Sequence, residues 1–259
     1  MELITQYFPA FLLVFCRITS FMVVAPIFST KSVPNIVKIG LSFFISYIVF
    51  MQVGFNDRVV ADGNFIFSIM KEVLAGLIIG YVCTLFFSVV QTSGALMDMQ
   101  MGMSMANIVD PLTGLSAPLM GNLKNMLLIL VFLSINGHHY LIGALMNSYI
   151  WLPLDNNLFG IIYGGALTEF LTRTFADTFL LALQISAPLV VAMFLLDLAL
   201  ALLTRAAPQF QVFVIGIPIK ILLGLAILIL ILPGFGTLFQ MIFDRMFAAL
   251  EQLFVVFKS

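Results

Sequence analysis

Five long stretches of this chain, residues 39–56, 73–97, 125–154, 178–196 and 221–243, contain no Asp, Glu, Lys or Arg. A bilayer core about 30 Å thick is crossed by about 20 apolar residues in a helix, and unsatisfied backbone in lipid restricts spanning structures to helices and closed barrels. The runs are continuously apolar and do not alternate, so they predict helices and not the dyad pattern of a barrel. A sixth run, from about residue 8 to 28, qualifies if Arg17 is accepted inside it. Its only charge before Arg17 is Glu2, so it lacks the basic start of a cleavable signal peptide and is expected to be a retained first helix. The expected fold is all-α, a polytopic integral membrane protein of about six hydrophobic helices.

The composition agrees, with 62% hydrophobic and 9% charged residues, against roughly 45–50% and about 25% in soluble domains. A net charge of -1 offers no basic field for nucleic acid. Cys16 and Cys83 lie far apart in apolar runs with no CxxC spacing and read as small hydrophobic residues. The connections, residues 29–38, 56–72, 98–124, 155–177 and 203 to about 212, are too short for a soluble domain, and no linker divides the chain. Lys and Arg are nearly balanced between the two sides these loops would define, so loop charge does not orient the protein.

Charges inside apolar runs cost roughly 2.5–3.5 kcal/mol each on insertion scales, so they face protein or water and carry partners. Arg17 interrupts the first helix, Asp197 the fifth, Arg205 follows it, and Lys220 opens the sixth. Asp197 and Lys220 are expected to be buried partners across the turn centred on Pro208, either as an assembly ion pair or, with Arg17, as a proton or ion relay. His138 and His139 invite a metal or acid/base reading. Adjacent helical residues point about 100° apart, however, and no HExxH motif supplies further ligands. The alternative is a polar helix feature, broken at Gly137, whose side chains bond their neighbours. No GxSxG, Walker loop or spaced carboxylate pair is present.

The least membrane-like stretch is residues 94–121. Met97, Met99, Met101, Met103 and Met105 recur at every second position, spread round a helix or aligned along a strand. Asp110-Pro111, Gly114 and Pro118 then argue against continuous helix. Methionine is flexible and polarisable. The stretch therefore suits either packing between helices or a deformable constriction that parts around a passing chain.

In order and spacing these residues resemble the FliR/SctT family of type III secretion export-gate proteins, almost end to end. The resemblance is carried by Arg17 with Pro26 and Phe28, by Pro34 with Lys38, by Gly94, Gln100-Met101-Gly102 and Asp110-Pro111, and by Asn136-Gly137-His138-His139. Its most specific part is Asp197, Arg205, Pro208-Gln209, Phe213, Gly216, Pro218-Ile219-Lys220 and Gly224. The resemblance implies a non-enzymatic subunit, without cofactor, of the flagellar export gate in the bacterial cytoplasmic membrane and basal body. It implies FliP-like and FliQ-like channel partners, FlhB-like and FlhA-like export proteins, and unfolded flagellar proteins as substrates. It also implies a FliP-like part over about residues 1–175 followed by a FliQ-like helical hairpin over about 176–259. By position, a channel plug would comprise Ala106, Asn107, Ile108, Val109, Asp110, Pro111, Leu112, Gly114 and Pro118, adjoining constriction residues Met101, Met103 and Met105. Arg17, Asp197, Arg205 and Lys220 would form an assembly charge network. Competing readings are a small-molecule or ion transporter using Asp197, Lys220 and Arg17, and an intramembrane metalloenzyme using His138 and His139.

Overall fold

A computed structural model describes residues 2–30, 33–54, 65–103, 118–154, 158–207 and 212–258, and among these every regular element is helical. In chain order they are α1 (Glu2–Val24), α2 (Asn35–Val49), α3 (Phe65–Gln100), α4 (Leu119–Ser134), α5 (Gly137–Trp151), α6 (Leu158–Tyr163), α7 (Ala166–Ala206), α8 (Val212–Ile231) and α9 (Phe235–Lys258). A π turn over Phe50–Gly54 follows α2, and a 3-10 turn over Leu232–Gly234 separates α8 from α9. Among the described residues, five helical segments are long and apolar enough to cross a membrane, or six if α4 and α5 count as one broken span. The protein is all-α and polytopic, as its apolar runs predict.

Two expected runs are divided. Residues 125–154 are not one helix: the chain breaks at Asn136, which adopts the left-handed conformation at φ 57°. Asparagine tolerates that conformation better than most residues. Gly137 follows because a Cβ there would collide with the Phe132 ring, itself set edge-on against Phe243 at 4.9 Å. Residues 221–243 also split. Pro233 lacks a backbone N–H and ends the α8 ladder, and Gly234 lets the chain restart as α9. The expected loop over residues 155–177 instead holds α6 and the start of α7, whose first turns carry Glu169, Arg173 and Asp177 on exposed positions.

The chain forms two compact units. The first comprises Met1–Phe86, Phe132–Phe175 and Phe243–Ser259. Its core includes Leu13, Ile18, Phe21, Ile79, Phe132, Leu145, Phe243 and Met246, all buried. Here α1 packs on α2 and on α3. Gly76 and Gly80, one turn apart, face α1, where a Cβ on Gly76 would collide with the Arg17 carbonyl and the Ser20 hydroxyl. A Cβ on Gly80 would press on Val24, Ala25 and Phe21 at 3.1–3.3 Å. Small residues at this spacing let membrane helices approach to backbone contact, where dispersion does the work that water would otherwise drive. The Thr84 hydroxyl extends the seam by donating to the Val24 carbonyl at 2.9 Å.

The second unit comprises Phe87–Val131 and Ala176–Ile242. Met97, Met101, Leu189 and Met193 form its buried centre, with Met103, Leu196 and Ile227 packed around it. Gly224 leaves the space that the Met101 side chain fills, and Gly94 lies directly on the backbone of Met120 and Gly121. Long faces of α7 and α8 remain uncovered within the chain, including Phe179, Phe194, Leu202, Ile229 and Leu230.

The contact between Gly94 and Gly121 generates a test. Gly94→Val forces backbone apart and should destabilise the protein by about 1–3 kcal/mol or more. Gly40→Val, at a position with open space around it, should be nearly neutral. Thermal unfolding of the two variants in detergent, followed by helical circular dichroism, checks the contrast.

Candidate functional site

In the first unit, Arg17 on α1 is fully buried. Its Nε and Nη2 donate to the two carboxylate oxygens of Glu72 on α3, at 2.5 and 2.9 Å. Nη2 also donates to the Leu152 carbonyl at 2.8 Å, and Nη1 to the Ser148 hydroxyl at 3.2 Å. The guanidinium carbon lies 4.0 Å from the centre of the Tyr149 ring, whose hydroxyl donates to the Val14 carbonyl at 3.2 Å. A bidentate, hydrogen-bonded and ring-covered arginine is the arrangement in which a buried charge is tolerated. Arginine stays protonated in proteins, so this constellation suits a fixed tie between α1, α3 and the end of α5 better than a proton relay.

Sequence reading placed Glu72 at the edge of a loop. The signal that could have found it is Asp62-Gly63-Asn64, a turn sequence immediately before Phe65, where α3 begins. Starting the helix there sets Glu72 two turns inside it. Together with Gly76 and Gly80 it then forms one stripe of i, i+4 spacing.

In the second unit, two charges that sequence reading also assigned to a connection are buried. Asp98, near the end of α3, accepts the Met120 N–H with both carboxylate oxygens, at 3.0 and 3.3 Å. Met120 lies in the first turn of α4, where unsatisfied N–H groups and the helix dipole favour an anion. Lys124, one turn on, has its Nζ 2.8 Å from the Met97 sulfur and 5.4 Å from the centre of the Phe235 ring, and it interacts electrostatically with Asp98. Asp98 and Met120 thus hold together the two chain ends that lead into residues 104–117.

Of the expected constriction residues, Met101 is buried against Gly224 and Met103 packs on the same cluster. Met97 and Met101 share a face one turn apart, whereas Met99 is 69% exposed. Met97 and Met99 thus point to different sides of the end of α3, and Met101 and Met103 lie in the turn that follows, so these four methionines are not aligned on a strand. Pro118 packs beside Gly121, and its carbonyl accepts the Asn122 N–H at 2.9 Å. Met105, Ala106, Asn107, Ile108, Val109, Asp110, Pro111, Leu112 and Gly114 lie outside the described residues.

Lys220 and Asp197 form an ion pair at 2.5 Å joining α7 and α8. The expectation that they are buried is corrected. The Asp197 side chain is 44% exposed and that of Lys220 21%, because they sit on flanks of the two helices that the described residues cover only in part. Arg205 is exposed in the last turn of α7, where a cation complements the carbonyl end of the helix. The Arg17 contacts lie in the first unit and the Asp197–Lys220 pair in the second.

His138 and His139 open α5 with ring centres 4.2 Å apart. Among the described residues no group of three or more His, Cys, Asp or Glu side chains is placed to hold a metal ion. Cys16 and Cys83 are free thiols.

Residues 8–246 match the family described as "Bacterial export proteins, family 1". The chain is 34% identical to the flagellar biosynthetic protein FliR of Bacillus subtilis (strain 168), over 98% of this chain and 97% of that protein. It is 32% identical to the protein of that name from Escherichia coli (strain K12), over 92% and 89% of the two chains. It is also 29% identical to the Yop proteins translocation protein T of Yersinia pestis, over 85% and 84%.

The Arg17 cluster makes a quantitative prediction. Arg17→Met takes the guanidinium away from the buried Glu72 carboxylate and Glu72→Gln takes the carboxylate away from buried Arg17, so each should cost about 3–5 kcal/mol. The double variant should be less damaging than the sum of the two. Unfolding of all four proteins in detergent gives the coupling energy, and additive losses would mean that the pair does not act as a unit.

Proposed function

The chain belongs to the bacterial export proteins of family 1, and from that premise we propose that it is a subunit of the flagellar protein export gate. At the coarser level it is a non-enzymatic, membrane-embedded component of a flagellar or type III export apparatus. In our reading it joins FliP-like and FliQ-like subunits in the bacterial cytoplasmic membrane, at the centre of the flagellar basal body. Together they enclose a narrow channel for unfolded flagellar proteins, which FlhA-like and FlhB-like proteins help to deliver and gate. Residues 1 to about 175 correspond to a FliP-like part, and those from about 176 onward to a FliQ-like hairpin.

The observation that carries this reading is the match along almost the whole chain, to flagellar relatives foremost. Two physical features support it. The uncovered apolar faces of α7 and α8 offer surface for other subunits. The closure of both ends of residues 104–117 by Asp98 and the first turn of α4 gives a plug a fixed base. In this proposal residues 106–118 close the channel and Met101 and Met103 support that closure from the packed end of α3. Asp197, Lys220 and Arg205 set how the hairpin docks, while Arg17 sets the fold that presents it.

Deleting residues 106–118 should leave the chain co-purifying with FliP-like and FliQ-like subunits while rendering the host membrane conductive to small ions. Ion flux in cells and composition of the purified complex read the two halves of this prediction. An intact complex with unchanged conductance removes the plug assignment, and a wild-type chain that always purifies alone removes the channel assignment.

A further inference from the structure

Within the first unit, α5 and α9 run side by side. Tyr140 meets Phe247 near one end with ring centres 5.7 Å apart, and Lys258 Nζ lies 5.4 Å from the centre of the Trp151 ring at the other. Both pairs advance along the two helices together, so the helices are parallel. Between these ends lies a groove of about 600 Å³, within the range of sites that take small ligands. The groove exists because α5 presents Gly143 and Ala144 to it, and around Gly143 a Cβ would meet nothing within 4 Å. Phe247, Leu250 and Phe254 of α9 give it an apolar floor.

The polar groups are few and ordered. Lys258 and Trp151 stand at the ends of their helices, the place where lysine and tryptophan anchor a membrane protein at the lipid–water interface. Glu251 lies seven residues before Lys258 on the same face of α9, about 10 Å along the axis, with Asn147 of α5 also lining that part of the groove. Among the described residues Glu251 has no ion-pair partner. The groove thus has a cation beside its Trp151 end, where Lys258 stands just outside the lining, a carboxylate two turns away from it and an apolar channel beside them. A ligand complementary to all three carries a phosphate, an ammonium group and hydrocarbon.

We propose that the groove between α5 and α9 binds one aminophospholipid, its phosphate at Lys258 and Trp151, its ammonium at Glu251 and Asn147, and an acyl chain along Phe247 and Phe254. Charge decides the headgroup. A purely anionic lipid would set its net charge against Glu251, whereas phosphatidylethanolamine satisfies both ends through charge-assisted hydrogen bonds. Trimethylation, as in phosphatidylcholine, removes the N–H donors that the carboxylate and the Asn147 amide accept. The proposal is independent of the plug reading, because no residue of the groove lies within residues 101–118.

Trp151 is the only tryptophan of the chain, which makes the site self-reporting. The full-length protein is reconstituted in phosphatidylglycerol vesicles doped with a minor fraction of acyl-brominated phosphatidylethanolamine, phosphatidylglycerol or phosphatidylcholine, and quenching of Trp151 fluorescence is compared. The ethanolamine lipid should quench most. That excess should disappear in Gly143→Leu, whose Cβ enters open space in the groove, and in Glu251→Gln, which removes the carboxylate from an exposed position. Retained helical circular dichroism shows that both variants are folded. Equal quenching by the three lipids, or an ethanolamine preference that survives both substitutions, overturns the proposal. So does protection of Trp151 from all three, since the groove is then covered by protein.

Discussion

A charge placed on a helix that must enter a membrane commits the rest of the chain to meeting it, and Arg17 is that charge. Its guanidinium donates hydrogen bonds to α3 through Glu72 and to the end of α5 through Ser148 and the Leu152 carbonyl. The pairing fixes not only which helices meet but their register. Glu72, Gly76 and Gly80 form one stripe of α3, and Arg17 and Phe21 one stripe of α1 that Ala25 continues just past its end. The salt bridge stands at one end of this seam, with backbone-close glycine contacts beyond it. A shift of α3 by one residue would rotate Glu72 by about 100° away from the guanidinium and put side chains where only hydrogen atoms fit. The ion pair thus acts less as a source of stability than as a penalty on every alternative packing.

The second unit uses the same arrangement with different chemistry. Asp98 stands one turn after Gly94, as Glu72 stands one turn before Gly76, and the glycine again lets a partner helix come close enough for the carboxylate to reach it. Here the partner is a helix N-terminus, whose orphan N–H groups and positive pole accept an anion without an arginine. Lys124 is less well served, with a methionine sulfur and an aromatic ring as its nearest direct neighbours. Methionine therefore has two tasks here: Met101 fills the irregular space beside Gly224 and Met97 solvates a buried ammonium. A branched aliphatic residue would do only the first.

The helices were legible because hydrophobic runs report what must leave water, and that signal survives in a single sequence. Their ends were less so, since three of the charges used as run boundaries, Glu72, Asp98 and Lys124, are interior. Treating charge as a marker of solvent fails wherever a charge has a partner, and the partners of these three come from distant parts of the chain. The division at Asn136 was foreshadowed by the polar Asn136-Gly137-His138-His139 sequence. The one at Pro233-Gly234 was written in residues that a run-length criterion ignores. Run length alone does not reveal helix α9, because Asp244 ends the last charge-free run, yet Phe239, Phe243, Met246, Leu250, Leu253 and Phe257 recur at helical spacing with Asp244, Arg245 and Glu251 on the other side. For the candidate site, Arg17 and the pairing of Asp197 with Lys220 could be read from the cost of charge in apolar runs. The partner of Arg17 could not, because the sequence separation of 55 residues carries no local pattern.

Helix α7 bears on how the apolar surface is to be understood. It has 41 residues, about 60 Å at the α-helical rise, twice the hydrocarbon thickness of a typical bilayer. Exposed apolar side chains occur on it from Phe175 to Leu203, a length of about 40 Å. A tilted helix can accommodate a modest mismatch, but one this large is not absorbed by tilt and local thickening at a small cost. Within the same face the half-exposed Asp197–Lys220 pair would be expensive against lipid tails and inexpensive against a polar patch of another protein. Length and charge thus give the same answer by independent routes: the outer face of this hairpin is better matched by protein than by lipid along part of its extent. A composition that first reads as membrane solubility is, for these helices, a requirement for subunits that cover what a bilayer is too thin to cover.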